Sequence, residues 1–307
     1  MPMISGTTLD VFDLCLGGNV FGWSADAEQS FAVLDRYAEA GGNFIDTADS
    51  YLWRAPGNSG GESETILGDW LAARGNRDDM VIATKVGSWP QRPGLSAANI
   101  TAAVRDSLRR LRTDRIDLYY AHRDDPDTPL EETMTAFDSL VRAGTVRYVA
   151  ASNYSAARLT EALGVSDRDG ITRYAALQSE YNLVERDYER ELAPLVAAEG
   201  LTSIPFFGLA RGFLTGKYRA GDERPDSVRA EKAAAYLTER GLAVLARLDQ
   251  AAASHDVPVP AVALAWLAAQ PTVAAPIASA RTVQQLDQLL PMATLSLSAE
   301  ELALLSG

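Results

Sequence analysis

One cysteine and two histidines are all that the 307 residues supply of the softer metal ligands. No His/Cys metal cluster can be assembled from them, and Cys15 has no partner for a disulfide within the chain. Positive charge is short as well: 28 Lys and Arg stand against 41 Asp and Glu, a net charge of −13. Such a balance argues against nucleic acid and anionic membrane surfaces as partners, although a local basic pocket stays open. Long apolar runs are missing too. The Ala-rich VPAVALAWLAAQ is too short to span a bilayer and is bounded by prolines. The N-terminal MPMISGTTLDVF has no charged segment leading into an apolar stretch, so a cytoplasmic protein is expected. Also absent are the usual nucleotide fingerprints. LGGNVFG has Asn19 where G-x-G-x-x-G needs its second glycine, and Trp23 follows Gly22 where a P-loop needs lysine.

What remains is ample core material, with 47% hydrophobic and 22% charged residues, arranged in a repeating order. Short Val/Ile/Leu-rich runs alternate with segments of helical period. The runs are DLCLGGNV, NFIDTA, VIATKVG, IDLYYAH, RYVAASN, AALQSEYN, SIPFFGLA and APIASA. Eight strand–helix units whose strands are apolar on both faces predict an α/β fold, a (β/α)₈ TIM barrel forming one domain over residues 1–307. Ser96 and Ser155 are the expected N-caps, and Gly41, Gly75 and Gly144 the expected C-caps. The first eleven residues read as a β-hairpin turning at Gly6 that closes the barrel floor. Elaborated loops are expected at Trp53 to Gly61 and Arg211 to Arg229, both on the strand C-terminal face, with a further departure in the tail after Pro291.

Four ionisable residues fall at the ends of the second, third and fourth runs: Asp46, Tyr51, Lys85 and His122. A phenol delivers a proton to a carbonyl best when something favours its anion as the proton leaves. An ammonium at Lys85 would lower the phenol's pKa, Asp46 would hold that ammonium charged, and His122 would orient the carbonyl oxygen. Singly, each has a plainer reading: Asp46 as a turn residue, Tyr51 and Lys85 as surface, His122 as a satisfied core residue. Their joint order on consecutive strand ends points to catalysis. Such a site carries no hydride of its own, so a reductase would need a nicotinamide cofactor. Phe21, Trp23, Trp53 and Trp89, on exits that ought to be polar, are expected to line an apolar pocket for aldehydes or ketones. Asp124 and Asp125 read as solvated loop residues.

The segments GGNFIDTADSY, ATKVG, IDLYYAHRDDPDTPLEET, TVRYVAASNYS and GFLTGKY resemble the signature segments of the aldo-keto reductases, from about Leu14 to about Leu290. The four residues above fall at that family's tetrad positions. The resemblance implies that Ser152, Asn153 and Gln178 hold the nicotinamide carboxamide and that Phe206 stacks on the ring. It further implies that the loop with Gly208, Leu209, Arg211, Gly212 and Lys217 clamps a pyrophosphate. Ser279 and Arg281 stand near the family's 2′-phosphate positions, Gln285 replaces a later arginine, and Gln288-Leu289 replaces a Glu-Asn pair. Arg281 at a helix start keeps NADPH favoured over NADH.

The expected activity is therefore NADPH-dependent reduction of a small-molecule carbonyl. One alternative is a redox-sensing subunit that keeps barrel and cofactor with little turnover, resembling the potassium-channel β subunits. Another is a glycoside hydrolase using Asp46 and Glu180, which leaves the Lys–Tyr pair idle. Substrate, reaction direction and homo-oligomerisation are not readable from the sequence.

Overall fold

A computed structural model describes residues 1–219 and 230–307. The last part of the expected Arg211 to Arg229 loop, residues 220–229, lies outside the described residues. Eight parallel strands form one sheet: β1 (Cys15–Gly17), β2 (Phe44–Asp46), β3 (Val81–Val86), β4 (Ile116–Ala121), β5 (Val146–Ser152), β6 (Ala176–Gln178), β7 (Thr202–Ser203) and β8 (Ile277–Ala278). Neighbours follow the order β8-β1-β2-β3-β4-β5-β6-β7. The sheet curls until its ends meet, where Ala274 N donates to Ser203 O (3.0 Å) and Ile277 N to Pro205 O (2.8 Å).

Helices α1 (Ala27–Glu39), α2 (Glu62–Arg74), α3 (Ala97–Leu111), α4 (Leu130–Arg142), α5 (Ala156–Asp169) and α6 (Tyr188–Ala198) follow the first six strands. After β7 come the short α7 (Ala230–Ala234), then α8 (Glu239–His255) and α9 (Val259–Ala268); α10 (Val283–Leu289) and α11 (Ala299–Ser306) follow β8. Their ends obey local chemistry. Ser96 and Ser155 accept from Asn99 N and Arg158 N, satisfying orphan donors of the first turn. Gly41, Gly75 and Gly144 take positive φ just past a helix, where a Cβ would be strained. No helix among the described residues is long and apolar enough to cross a membrane.

Strand pleating splits the core in two. Ile45, Ile82, Tyr119, Val149 and Leu177 face the helices. Phe44, Ala83, Leu118, Tyr120, Ala150, Ala176, Ile204 and Ile277 pack against one another on the other side of the sheet. Both faces are therefore dry, each large side chain contributing about 1.5–3 kcal/mol on burial, which is why the strands show no polar alternation. The first eleven residues double back through Gly6, with Met3 bridged antiparallel to Asp10. Ile4, Leu9 and Val11 complete the inner cluster. A two-residue ribbon, Ser88–Trp89 against Arg92–Pro93, follows β3 and had no sequence signal.

Candidate active site

Side chains alternate across a strand with a period of two, so the residue two beyond the last inner apolar one again points inward. That parity selects Asp46 after Phe44, Lys85 after Ala83 and His122 after Tyr120. It also selects Ser152 after Ala150, Gln178 after Ala176, Phe206 after Ile204 and Ser279 after Ile277. The eighth position is Gly17, where an added Cβ would lie 2.6 Å from Ser279 Oγ. The strand C-termini thus present one ring of side chains in which only glycine fits beside Ser279.

Lys85 Nζ, fully buried, donates to Asp46 Oδ2 (2.6 Å), Thr47 O (2.7 Å) and Tyr51 Oη (2.7 Å). Tyr51, brought back over the ring by the loop after β2, donates to Asp46 Oδ2 at 2.9 Å. Gln178 Nε2 donates to Asp46 Oδ1 at 2.9 Å. The Tyr51 and His122 rings meet edge to face, 5.9 Å between centroids. Asn153, in left-handed backbone, donates to His122 O (2.9 Å) and Ser152 Oγ (3.0 Å).

The electrostatics correct one expectation. Burial, then the Asp46 charge, pushes the Tyr51 phenol well above its ordinary pKa. The carboxylate that anchors the ammonium also accepts from the phenol, so in the resting site Lys85 does not lower the phenol below its usual range. Burial pulls Lys85 down against the opposing Asp46. Burial, then the Lys85 charge, drives His122 well below its ordinary value and keeps its imidazole neutral. The arrangement is a neutral phenol that holds its proton, backed by a fully bonded ammonium and flanked by a neutral ring.

A cavity of about 430 Å³ lies beside this cluster, on the β7, β8 and β1 side. Gly208, Leu209, Arg211, Gly212, Lys217, Ser279, Arg281 and Gln285 line it, all expected nucleotide contacts, together with Trp23. Asp46, Tyr51, Lys85 and His122 are not among its lining residues; β1 stands next to the cluster, with Gly17 paired to Asp46 and Gly18 N donating to Asp46 O at 2.7 Å. The loop after β7 is strained: Phe207, Ala210 and Arg211 all have positive φ.

Several expected residues stand elsewhere or are otherwise engaged. Phe21 is fully buried in the sheet–helix core rather than at a pocket wall, because the chain turns after β1, where Phe21 N donates to Gly18 O (3.1 Å). Trp89 donates to Ser59 O (3.0 Å) and packs between Arg92 and Arg110, pinning a loop. Trp53 lies under Arg54, 4.6 Å from its guanidinium. The Arg211 guanidinium, expected as a phosphate partner, is paired with Glu180 at 3.0 Å and stacked 4.0 Å over Phe207. Gln178 meets Asp46, and Gln285 Oε1 accepts from Arg281 N (2.9 Å). Phe206 keeps its inward position but does not line the cavity, whereas its neighbour Phe207 does. Asn19 was missed; it accepts from Ser279 Oγ at 2.7 Å, a contact across 260 positions that no local pattern signals. Asp124 and Asp125 are structural, the first paired with Arg158 and the second accepting from Leu95 N. The second histidine, His255, contacts Glu301 at 2.6 Å.

A curled parallel sheet with acid, amine, phenol and imidazole gathered at its strand C-termini defines an α/β enzyme-like barrel site. The chain belongs to the Aldo/keto reductase family, whose sequence profile matches residues 13–307. It is similar to norsolorinic acid reductase stcV of Emericella nidulans, 34% identical over 95% of this chain and 76% of that protein. The uncharacterized oxidoreductase YrpG of Bacillus subtilis is 34% identical over 98% of this chain and 93% of its own length. Aryl-alcohol dehydrogenase GME11368 of Pestalotiopsis microspora is 30% identical over 95% and 77%.

Proposed function

We propose that the protein is an NADPH-dependent oxidoreductase that reduces an aldehyde or ketone to an alcohol, with Tyr51 as proton donor, on a closed (β/α)₈ barrel. The observation that carries this reading is the triangle of Lys85, Asp46 and Tyr51, every edge between 2.6 and 2.9 Å. Tyr51 holds its proton at neutral pH. As a carbonyl oxygen gains negative charge, the phenol hydrogen turns from Asp46 to that oxygen, and the Lys85 ammonium stabilises the phenolate left behind. His122, neutral, donates to the same oxygen and fixes its direction.

The cavity's chemistry fits a dinucleotide phosphate. Arg211, Lys217 and Arg281 bring positive charge to its wall, and the left-handed turns at Phe207, Ala210, Arg211 and Gly212 bend the backbone into the kind of concavity that binds anions. Ser152, Asn153, Gln178 and Phe206 would flank the nicotinamide end, and Arg281 with Ser279 the 2′-phosphate end. When bound, NADPH supplies the hydride. Arg211 reaches a phosphate only by sharing or leaving Glu180. A hydrolase using Asp46 and Glu180 is disfavoured, since Asp46 is saturated by three donors and Glu180 is held by Arg211. The name of the aryl-alcohol dehydrogenase relative, with Trp23 on the cavity wall, makes aryl aldehydes the first class to assay.

The test is a carbonyl panel with NADPH and NADH, run on wild type and Tyr51→Phe. The variant should lose about 10²–10⁴ in kcat, the usual worth of a positioned acid, while quenching of nicotinamide fluorescence on binding persists. Turnover at the wild-type rate would overturn the assignment of Tyr51. Tight cofactor binding with only a slow single turnover would favour a redox-sensing role.

A further inference from the structure

Of the two arginines on the cavity wall, Arg211 is ion-paired, whereas Arg281 has no carboxylate partner among the described residues. Arg211 Nη2 donates to both oxygens of Glu180, at 3.0 Å and 3.3 Å, and the guanidinium carbon lies 4.0 Å from the centre of the Phe207 ring. Glu180 itself does not line the cavity; it follows β6, bridged in parallel register to Phe206. Two residues further on, Asn182 Nδ2 donates to Phe207 O at 3.0 Å. The carboxylate is thus carried on backbone tied to the β7 exit. Both partners are partly buried, with side-chain exposures of 22% for Arg211 and 31% for Glu180, so solvent and salt screen this pair less than a fully exposed one.

We propose that Glu180 is a built-in competitor of the dinucleotide: it holds the Arg211 cation that a phosphate would otherwise hold, and so keeps binding weak enough for the oxidised nucleotide to leave after each turnover. The inference rests on the assignment of this cavity to a dinucleotide. Its physics is that of one cation between two anions. A guanidinium presents a planar fork of donors, and each anion bound to it lowers its attraction for another. A phosphate reaching Arg211 either displaces Glu180 or shares the guanidinium with it. In both cases the carboxylate charge opposes the phosphate charge across a partly dry space, where such repulsion is stronger than in bulk water. The loop that carries Arg211 is assigned to the pyrophosphate, which NADPH and NADH have in common, so Glu180 should act on both nucleotides alike. It touches no reacting atom and works through Arg211, which makes it a positioning residue.

Glu180→Gln removes the charge but keeps an oxygen that can accept from Arg211, so the guanidinium stays held. Fluorescence titration of the purified variant should show NADPH and NADH each bound about three- to tenfold more tightly than by wild type. Stopped-flow release should place most of that gain in a slower dissociation rate. Arg211→Ala should weaken both nucleotides, and adding Glu180→Gln to it should change nothing further, because the coupling passes through the guanidinium. Unchanged or weaker binding by Glu180→Gln would overturn the proposal and make Glu180 a support that aims Arg211 at the phosphate. A gain of the same size in the absence of the Arg211 side chain would overturn it as well, leaving only general repulsion by a nearby acid. Should Glu180→Gln fail to fold, Glu180→Ala supplies the same comparison. Failure of the reductase reading is separate: turnover by Tyr51→Phe at the wild-type rate leaves these affinities untouched, whereas a wild-type protein that binds neither nucleotide ends both readings.

Discussion

The β2–β4 side of the site and the β7–β8 side are built on opposite principles. Asp46 and Lys85 lie within strands, are 1% and 0% exposed, and spend nearly every polar atom on each other or on Thr47, Tyr51 and Gln178. Arg211, Lys217 and Arg281 lie on loops, line an open cavity, and hang partly on backbone held at positive φ. On the function proposed above, the groups that would stand within a fraction of an ångström of reacting atoms are fixed by register, and those that would admit and release a large anion are carried on segments whose strain is local.

If that contrast is right, breaking the strand side should cost the most. Lys85→Met leaves the Asp46 carboxylate buried without its cation, a loss of about 3–5 kcal/mol in stability beyond any loss of turnover. Thermal unfolding should show it, and the double variant Asp46→Asn/Lys85→Met should recover much of the stability while remaining inactive. A Lys85→Met protein as stable as wild type would mean that the pair is not a rigid support.

The same contrast explains what could be read before the fold was seen. Apolar runs and their ends are written in the sequence, so Asp46, Lys85 and His122 could be placed at strand ends and the eight alternating units announced the curled sheet, whereas Ser152, Gln178, Phe206 and Ser279 were legible only through the family resemblance. Loop side chains obey no period. Phe21 and Trp23 are two residues apart, yet the first closes the core and the second lines the cavity. Trp89 looked like a pocket wall because nothing local reveals that Arg92 and Arg110 will bracket it. The direction of the Tyr51 shift was misjudged for a related reason: one oxygen of Asp46 serves both the amine and the phenol, which is a fact of three dimensions.

Within the strand side, Asp46 and Asp49 form a sharper pair: both are buried three residues apart, one with three donors and the other with none. Asp49 is raised from its ordinary 3.8 to about 7. A raised carboxyl keeps its proton in the folded state while the unfolded chain loses it. Its stabilising share is complete below 3.8 and is lost as pH climbs to about 7. Asp49→Asn removes the titration. Its stability relative to wild type should therefore increase from pH 4 to pH 8 by on the order of 4 kcal/mol. Denaturant unfolding at the two pH values measures this, and an equal difference at both would place the Asp49 carboxyl in an ordinary, solvated environment.

The smallest effect belongs to the loop side. Arg281 lines the cavity beside Ser279 and Gln285, half-exposed, with its backbone N–H donated to Gln285. Truncation should leave fold and tetrad alone, because nothing buried depends on it. If it meets a 2′-phosphate, Arg281→Ala should weaken NADPH by about tenfold, the range of one charge-assisted hydrogen bond at a wet site, and leave NADH unchanged. Fluorescence titration of both nucleotides gives the ratio. Equal losses for the two would move Arg281 to the shared part of the dinucleotide, and no loss for either would leave Lys217 and the strained backbone of the β7 loop as the holders of the phosphates.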